Sequence, residues 1–165
     1  MNFEEIKLLL TEKLGDGVII GEETGGIQPA LLIEPDQIVA VCLELRNNEK
    51  TYFDFLSSIT GVDYGVELSR FGVVYHLASI PYQTQLTLKI SKEHGRDLND
   101  LPAFPSVSSV YRTADWHERE AYDLIGIFFE GHPDLRRILL PDDWEGFPLR
   151  KDYKNAEFYK RIRID

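Results

Sequence analysis

The sequence contains one cysteine, Cys42, and this scarcity excludes two kinds of site. A single thiol cannot close a disulfide within the chain, and it cannot hold an iron–sulfur cluster, which needs several thiolate ligands. Cys42 stands in the apolar run Val41–Leu43. We therefore interpret it as a small buried core residue rather than a reactive thiol.

Motifs for nucleotide binding and covalent catalysis are also missing. No GxGxxG or Walker-type loop opens a helix, and Gly15 and Gly17 precede an apolar, strand-like run instead. None of the serines stands in the GxSxG arrangement of a nucleophile elbow. Because redox cofactors need recognisable sites, the sequence predicts no NADH, flavin or nucleotide site on this chain.

Long hydrophobic runs are absent as well. The longest, such as residues 38–43, are far shorter than the ~20 apolar residues that cross a bilayer as a helix. Residues 1–5 carry no basic secretory leader, so a cytoplasmic location is predicted. With 165 residues, 43% of them hydrophobic and 28% charged, the chain is predicted to fold as one globular domain.

Basic residues are outnumbered, and the formal net charge is −10. A general nucleic-acid binder needs a basic face, so no nucleic-acid partner is predicted. Residues 1–131 carry 10 basic and 21 acidic groups (−11), whereas residues 132–165 carry 8 and 7 (+1). We predict an α+β body, 1–131, and an extended C-terminal docking arm, 132–165, of the same domain. An ordinary solvated surface fits these charges equally well.

The first half of the chain predicts alternating helices and strands. Asn2 and Glu5 form a capping-box pair before a helical pattern that ends at Gly15. Apolar runs at 18–20 and 30–33 predict two strands. A second helix is predicted to start at Pro35-Asp36 and to close at Asn47-Asn48.

The middle of the chain predicts a hairpin. Residues 52–64 fit either a helical turn or an extended segment, and the pattern leaves both open. Residues 70–80 and 85–90 are rich in β-branched and aromatic residues or alternate in polarity, which predicts antiparallel strands joined near Pro81. A loop is predicted over residues 95–105.

A third helix is predicted to begin near Thr113 and to stop at Gly126. Its predicted apolar stripe is Ala114, His117, Ala121, Leu124 and Ile125. Residues 127–129 predict a last short strand, and the rest is punctuated by proline and glycine. The predicted fold class is α+β: a two-layer sandwich, helices packed on a mixed, largely antiparallel sheet, with an irregular C-terminal arm.

Charges of both signs lie close to large apolar residues throughout residues 116–153. Charged residues are rarely buried unless they are paired. On a helix, Glu118 shares a side with Asp115, and Arg119 lies one turn before Asp123. This spacing predicts a charged ridge, either an interface or proton-handling cluster or an ion-pair network that anchors the arm. The candidate counterions are Arg136 or Arg137, and Arg150.

A metal-dependent hydrolase is the enzymatic alternative for the same run. His117, Glu120, Asp123 and His132 offer nitrogen and oxygen ligands within a short span. However, no second histidine stands four residues after His117, so the HExxH arrangement of metalloproteases is absent. We therefore predict no catalytic and no metal-ligating residue on this chain.

Several short motifs in this run also have a familiar order and spacing. They are Glu118-Arg119-Glu120, Tyr122-Asp123-Leu124-Ile125-Gly126, the stretch from Gly131-His132 to Ile138-Leu139, Gly146, and Pro148-Leu149-Arg150-Lys151-Asp152-Tyr153. They resemble the signature of the 30-kDa subunit family of respiratory complex I, which in bacteria is the C-type subunit of the NADH-quinone oxidoreductase. The resemblance is strongest over the last third of the chain.

This resemblance implies a cofactor-free structural subunit in the hydrophilic arm of a proton-translocating complex, peripheral on the cytoplasmic side of the cell membrane. It implies docking on the 49-kDa-type subunit near the quinone site, beside an iron–sulfur subunit. NADH, flavin, iron–sulfur clusters and quinone would belong to partner subunits, and the membrane would be reached only through the complex. The alternative is the equivalent subunit of a membrane-bound hydrogenase or of a ferredoxin-accepting complex.

The signature also supplies the candidate interface residues. Leu135, Ile138 and Trp144 would contribute apolar burial and the cations charge complementarity, so that Arg136→Ala with Arg150→Ala would weaken assembly while leaving the domain folded. The full set is Glu118, Arg119, Glu120, Asp123, His132, Leu135, Arg136, Arg137, Trp144, Arg150, Lys151 and Asp152.

Overall fold

The computed structural model describes residues 1–26, 28–155 and 157–164. Ala156 and Asp165 of the predicted arm therefore lie outside the described residues. The helices are α1 (Phe3–Leu14), α2 (Ile38–Asn47), which follows a 3₁₀ turn at Pro35–Gln37, and α3 (Ala114–Ile125). The strands are β1 (Ile19–Glu23), β2 (Ala30–Ile33), β3 (Phe55–Asp63), β4 (Arg70–Ser79), β5 (Thr84–Glu93), β6 (Ala103–Pro105), β7 (Phe128–Glu130), β8 (Phe158–Tyr159) and β9 (Ile162–Arg163).

Five strands form the main sheet, in the order β1-β2-β5-β4-β3. Only the β2–β5 pair is parallel, so the sheet is mixed and largely antiparallel. β4 and β5 pair along their whole length from Arg70 opposite Glu93 to Ser79 opposite Thr84, which confirms the predicted hairpin. The α+β fold class is confirmed.

One hydrophobic core joins the helices to one face of this sheet. Along β4 the alternate residues Phe71, Val73, Tyr75 and Leu77 are buried, as a strand with one covered face requires. They belong to the same apolar cluster as Leu10 of α1, and the inward residues of α2 and α3 lie in it too. This arrangement places α3 beside β3 at one end of the sheet.

Local sequence signals located most elements. The capping box at Asn2 and Glu5 is present, with Asn2 Oδ1 accepting from the Glu5 N–H at 2.9 Å, and α1 ends before Gly15. The first predicted strand is shifted to Ile19–Glu23. Residues 52–64, for which the pattern allowed two structures, contain the nine-residue strand β3.

The short strands were harder to predict. The predicted loop over 95–105 contains β6, which pairs in parallel with β7. The strand predicted at 127–129 is β7, but it is not the last, because β8 and β9 form a small hairpin in the arm. β6 and β7 pair across 25 positions of the chain, and β8 and β9 are only two residues long, so the local pattern carries little signal for either pair.

The C-terminal end of α3 packs against the arm. Gly126 has the left-handed conformation (φ +76°), and a Cβ there would lie 2.5 Å from the ring of Phe147. The predicted apolar stripe needs one correction, since Glu118 is fully buried and His117 is only half-buried. None of the described helices has the length and apolarity to span a bilayer.

Candidate docking site

Asp123 on α3 holds the first part of the arm. Its side chain is fully buried, and Oδ2 accepts the backbone N–H groups of Ile138, Leu139 and Leu140 at 3.0, 2.7 and 2.9 Å. Oδ1 accepts from Arg137 Nη1 at 2.7 Å. Burial opposes ionisation of Asp123, but these donors outweigh it and hold its pKa below the ordinary value. The carboxylate thus fixes the backbone of residues 138–140.

Two arginines extend this anchor through backbone carbonyls. Arg137 also donates through Nη2 to the carbonyls of Trp144 and Gly146. Arg119, on α3, donates to the carbonyls of Arg136 and Arg137, both at 3.2 Å, and its guanidinium stacks on the exposed ring of Trp116. The arm is therefore tied to α3 by fixed cations that satisfy carbonyls of irregular backbone.

Arg150 binds the arm to the C-terminal end of α3. Its Nε donates to the carbonyl of Ile125 at 2.7 Å and its Nη2 to that of Gly126 at 3.3 Å, where a helix leaves acceptors unsatisfied. The guanidinium lies between the rings of Phe71 and Phe147, 5.1 and 4.9 Å from their centroids. Its bonds go to carbonyls rather than to Glu118 or Asp123, so Arg150 is not a counterion of the predicted ridge.

A second ion-pair site, which the sequence reasoning missed, ties the arm to the sheet. Asp63 at the end of β3 binds Arg96, which also binds Asp152 of the arm at 3.0 Å. The Lys151 N–H donates to Asp63 Oδ2 at 2.8 Å. Burial alone would raise the pKa of Asp63, but Arg96 and the backbone donors lower it to about 2. Lys151 and Asp152 were candidate interface residues, but Asp63 lies 88 positions before Lys151, so no local pattern connects them.

Glu118 occupies a separate buried cluster. Its carboxylate accepts from Ser106 Oγ at 2.6 Å and from the Val107 N–H at 2.8 Å. His132 Nε2, also fully buried, lies 3.9 Å away and donates to the Asp115 carbonyl, because its Nδ1 accepts the Asp134 N–H. Burial, with a smaller contribution from the Asp115 charge, raises the pKa of Glu118 to about 7.

This pKa predicts a pH-dependent stability. The folded chain keeps a proton that the unfolded chain releases between about pH 4.5 and 7, so the free energy of unfolding falls as pH rises through that window. The loss is of order 3 kcal/mol. In Glu118→Gln the amide mimics the protonated acid, and this fall is expected to disappear. Urea unfolding of both chains at pH 5 and pH 8 measures it; equal slopes with pH would contradict the assignment.

The predicted ridge is therefore not one row of charges, because its side chains point to three different surroundings. Glu118 faces the loop at 106–107, Asp123 and Arg119 face the arm, and Glu120 is exposed on the outside. The metal site of the hydrolase alternative is also disfavoured, because the Asp123 carboxylate already accepts hydrogen bonds from Arg137 and from backbone N–H groups. Within residues 1–26, 28–155 and 157–164, no three His, Cys, Asp or Glu side chains are grouped to hold a metal.

The remaining candidate residues divide by exposure. Arg136 pairs with Asp134 at the surface, and Lys151 is exposed. Leu135, Ile138 and Trp144 are half-buried, and Trp144 packs on the ring of Tyr159. Leu139 and Leu149 of the arm are 62% and 57% exposed. The outer side of the arm thus presents apolar groups and charges of both signs to the surroundings of the chain.

Known structures give the class of protein first. The fold resembles that of a chain in the membrane-bound sulfane sulfur reductase, an archaeal respiratory membrane complex, with a TM-score of 0.72 and 25% identity. The match covers 92% of this chain and 85% of that one. The architecture is thus that of a chain found in a respiratory membrane complex.

Three curated relatives narrow the class, and all are C-type subunits of NADH-quinone oxidoreductases. The relative from Chloroherpeton thalassium is 44% identical, over 94% of this chain and 62% of its own length. The one from Chlorobium phaeobacteroides is 40% identical, over 94% and 91%. The one from Salinispora tropica is 49% identical, over 74% and 49%. The chain therefore spans less than two thirds of the first and third of these relatives and nearly all of the second.

The family itself is defined by its sequence model. The model described as respiratory-chain NADH dehydrogenase, 30 Kd subunit, matches residues 31–159, from β2 into β8. The chain belongs to this family, as the resemblance in its last third predicted.

Proposed function

We propose that this chain is a structural subunit of the hydrophilic arm of a proton-translocating NADH-quinone oxidoreductase, on the cytoplasmic side of the membrane. It supports electron transfer from NADH to quinone by docking on the 49-kDa-type subunit near the quinone site. The observation that carries this proposal is the arm, whose inner side is bonded to the body through Asp123, Arg137 and Arg150 while its outer side is left exposed.

The chain's part in this function is positional. The bonds of its buried charges go to its own arm and body, which supports a scaffold rather than a reaction centre. In this proposal NADH, flavin, iron–sulfur clusters and quinone are held by partner subunits, including an iron–sulfur subunit beside the 49-kDa-type one. Metal and flavin analysis of the purified chain tests this part: a stoichiometric, tightly held cofactor would contradict it.

The exposed residues of the arm define the docking surface. Apolar side chains exposed beside cations are typical of a surface that becomes buried on assembly. Leu139 and Leu149 supply the apolar area, and Arg136 and Lys151 supply charge. Arg137 and Arg150 are bonded to carbonyls and a carboxylate inside the chain, so they position this surface without forming it.

The test compares two double variants in the assembled complex. Arg136→Ala with Lys151→Ala is expected to reduce co-purification of the chain with the 49-kDa-type subunit, because both cations are exposed on the arm. The control is Lys13→Ala with Lys50→Ala, two exposed cations outside the arm, and it is expected to leave assembly intact. A native gel of membranes, with NADH-dependent quinone reduction, measures both. Equal assembly of the two variants would overturn the docking surface.

A related complex is the second candidate. The likeness to a chain of the sulfane sulfur reductase complex favours it, because that chain has this fold in a respiratory complex of another activity. The equivalent subunit of a membrane-bound hydrogenase or a ferredoxin-accepting complex falls in the same group. Purifying the complex through this chain and comparing NADH, ferredoxin and hydrogen as electron donors separates these candidates.

A further inference from the structure

Strand β3 is an open edge of the main sheet. It pairs with β4 on one side, and no hydrogen bond outside this ladder reaches the backbone of residues 55–63 from the described part of the chain. The one irregularity in its pairing lies between Leu56 and Ser58, so residues 58–63 are regular. About six residues of regular edge span roughly 20 Å.

Apart from the shift in register between Leu56 and Ser58, this edge lacks the features by which proteins protect exposed strands. Its sequence FLSSITGVD contains no lysine, arginine or proline, and its single charge is Asp63 at the last position. Native edges that remain free usually carry such residues, because unpaired N–H and C=O groups recruit other strands. An unprotected edge of this length is therefore suited to receiving a strand from another chain.

A groove runs along this edge. It is lined by residues 59–61 of β3, by Glu120, Ala121, Leu124 and Ile125 of α3, and by Leu149 of the arm. We call it the β3–α3 groove. Its volume is about 80 Å³, which suits one aliphatic side chain, and most of its lining is apolar. The Leu149 N–H donates to the Leu124 carbonyl at 2.9 Å, so the docked arm forms part of the groove wall.

Glu120 supplies the charge of the groove. Among the described residues it is the one charged member of the lining, it is exposed, and it makes no hydrogen bond or ion pair with any of them. Its signature neighbours behave differently, since Glu118 and Arg119 are both bonded inside the chain. A carboxylate at the rim of an apolar groove is complementary to a lysine or arginine whose stem lies along apolar surface.

We infer that β3 is completed by an extended strand of the neighbouring subunit, which places an aliphatic side chain in the β3–α3 groove and a lysine or arginine against Glu120. This inference rests on the proposed function, because it identifies the kind of segment that the partner contributes. Backbone hydrogen bonds to residues 58–63 provide the pairing, and the groove and Glu120 select the side chains of the partner strand.

A second copy of this chain fits the edge less well. Pairing of two β3 strands would bring together two chains of net charge −10 and two Glu120 carboxylates that have no partner within the described residues. Like charges placed opposite each other across an interface disfavour association. Charge complementarity thus favours a basic strand from a different subunit.

Hydrogen exchange of the backbone amides tests the pairing. Exchange is compared between the purified full chain and the same chain in the purified complex, with single-amide resolution from electron-transfer fragmentation. Because β4 already bonds alternate residues of β3, the other alternate amides of residues 58–63 are expected to exchange at least about tenfold more slowly in the complex. The second edge strand, β1, is the internal control and is expected to keep its exchange rates.

Variants of Glu120 test the selection of a basic side chain. Glu120→Lys is expected to lower co-purification of the partner severalfold, Glu120→Gln less so, and Glu12→Lys, an exposed reversal on α1, not at all. Since Glu120 has no bond within the described chain, the thermal midpoint of the isolated Glu120 variants is expected to stay unchanged. Carbodiimide coupling of Glu120 in the complex, followed by peptide mass spectrometry, would identify a partner lysine.

The outcomes separate this inference from the proposed function. A complex that assembles without slower exchange at residues 58–63, or in which all amides there slow equally, would overturn the strand pairing and leave the proposed function standing. Slower exchange in self-associated chain alone would assign the edge to a second copy and overturn the inference. A chain that never co-purifies with respiratory subunits would overturn the proposed function itself.

Discussion

Asp123→Ala is expected to lower the free energy of unfolding of the chain by about 3–5 kcal/mol, the cost of removing one partner of a buried ion pair. Asp123 is fully buried and accepts four hydrogen bonds from the arm, one of them from Arg137. Without the carboxylate, the Arg137 charge and three N–H groups of residues 138–140 lose their acceptor. Urea unfolding at pH 7 measures the loss.

Two companion variants identify the cause of that loss. Asp123→Asn keeps the shape, but its amide can supply only one acceptor oxygen, and its NH₂ group would face the N–H of Arg137. We therefore expect Asn to be nearly as destabilising as Ala. Asp134→Ala is the matched control, because Asp134 also pairs with an arginine of the arm but is exposed, and its loss is expected to change stability little.

The sign of the pH effect distinguishes the anchor from general packing. The pKa of Asp123 is lowered in the folded chain, so its stabilisation is present above the unfolded pKa and is lost as pH falls through the folded pKa. The wild-type chain should therefore lose this contribution in acid, whereas Asp123→Ala has none to lose. A constant stability difference between the two chains from neutral pH to pH 3 would contradict the ionised anchor.

The fold was largely predictable because its main elements carry local signals. The Asn2–Glu5 cap, the Gly126 stop and the polarity pattern of β4 and β5 each depend on neighbours in sequence, so one chain suffices to locate them. Strand β3 was ambiguous because it is an edge strand with exposed Phe55 and Thr60 and a shift in register, which weaken its period of two.

The site was predictable in its residues but less so in its geometry. Glu118, Asp123 and Arg137 could be named from the order of motifs in the sequence, yet their directions depend on which surfaces lie opposite them. Glu118 shares helix α3 with Asp123 but faces Ser106, and Asp63 meets Lys151 across 88 positions of the chain. Helical spacing gives a face of a helix and does not give the partner that covers it.

Arg150 shows the same limit. Its charge suggested a place on the docking surface, but its side chain is buried inside the chain. It is 4% exposed and donates to three carbonyls, those of Ile125, Gly126 and Arg96. Burial lowers its pKa from the ordinary value. The sequence-based expectation that Arg136→Ala with Arg150→Ala leaves the domain folded is therefore replaced by a prediction that the loss of Arg150 lowers stability.

Arg150→Ala is expected to lower the free energy of unfolding by about 3 kcal/mol, because buried carbonyls at the end of α3 lose their donors and the rings of Phe71 and Phe147 lose the group between them. Arg150→Lys keeps the charge but cannot reproduce the planar fork, so it is expected to recover only a part. Arg136→Ala, an exposed arginine of the same arm, is the control and is expected to unfold like the wild-type chain.

These variants also separate the two roles of the arm. Arg136→Ala is expected to weaken assembly of a chain that remains fully folded. Arg150→Ala is also expected to weaken assembly, but because residues 147–149 of the arm are held less firmly against the body. Limited proteolysis of the isolated chains distinguishes them, with faster cleavage in the arm for Arg150→Ala alone. Equal protease resistance of the two variants, together with equal urea midpoints, would show that Arg150 does not hold the arm.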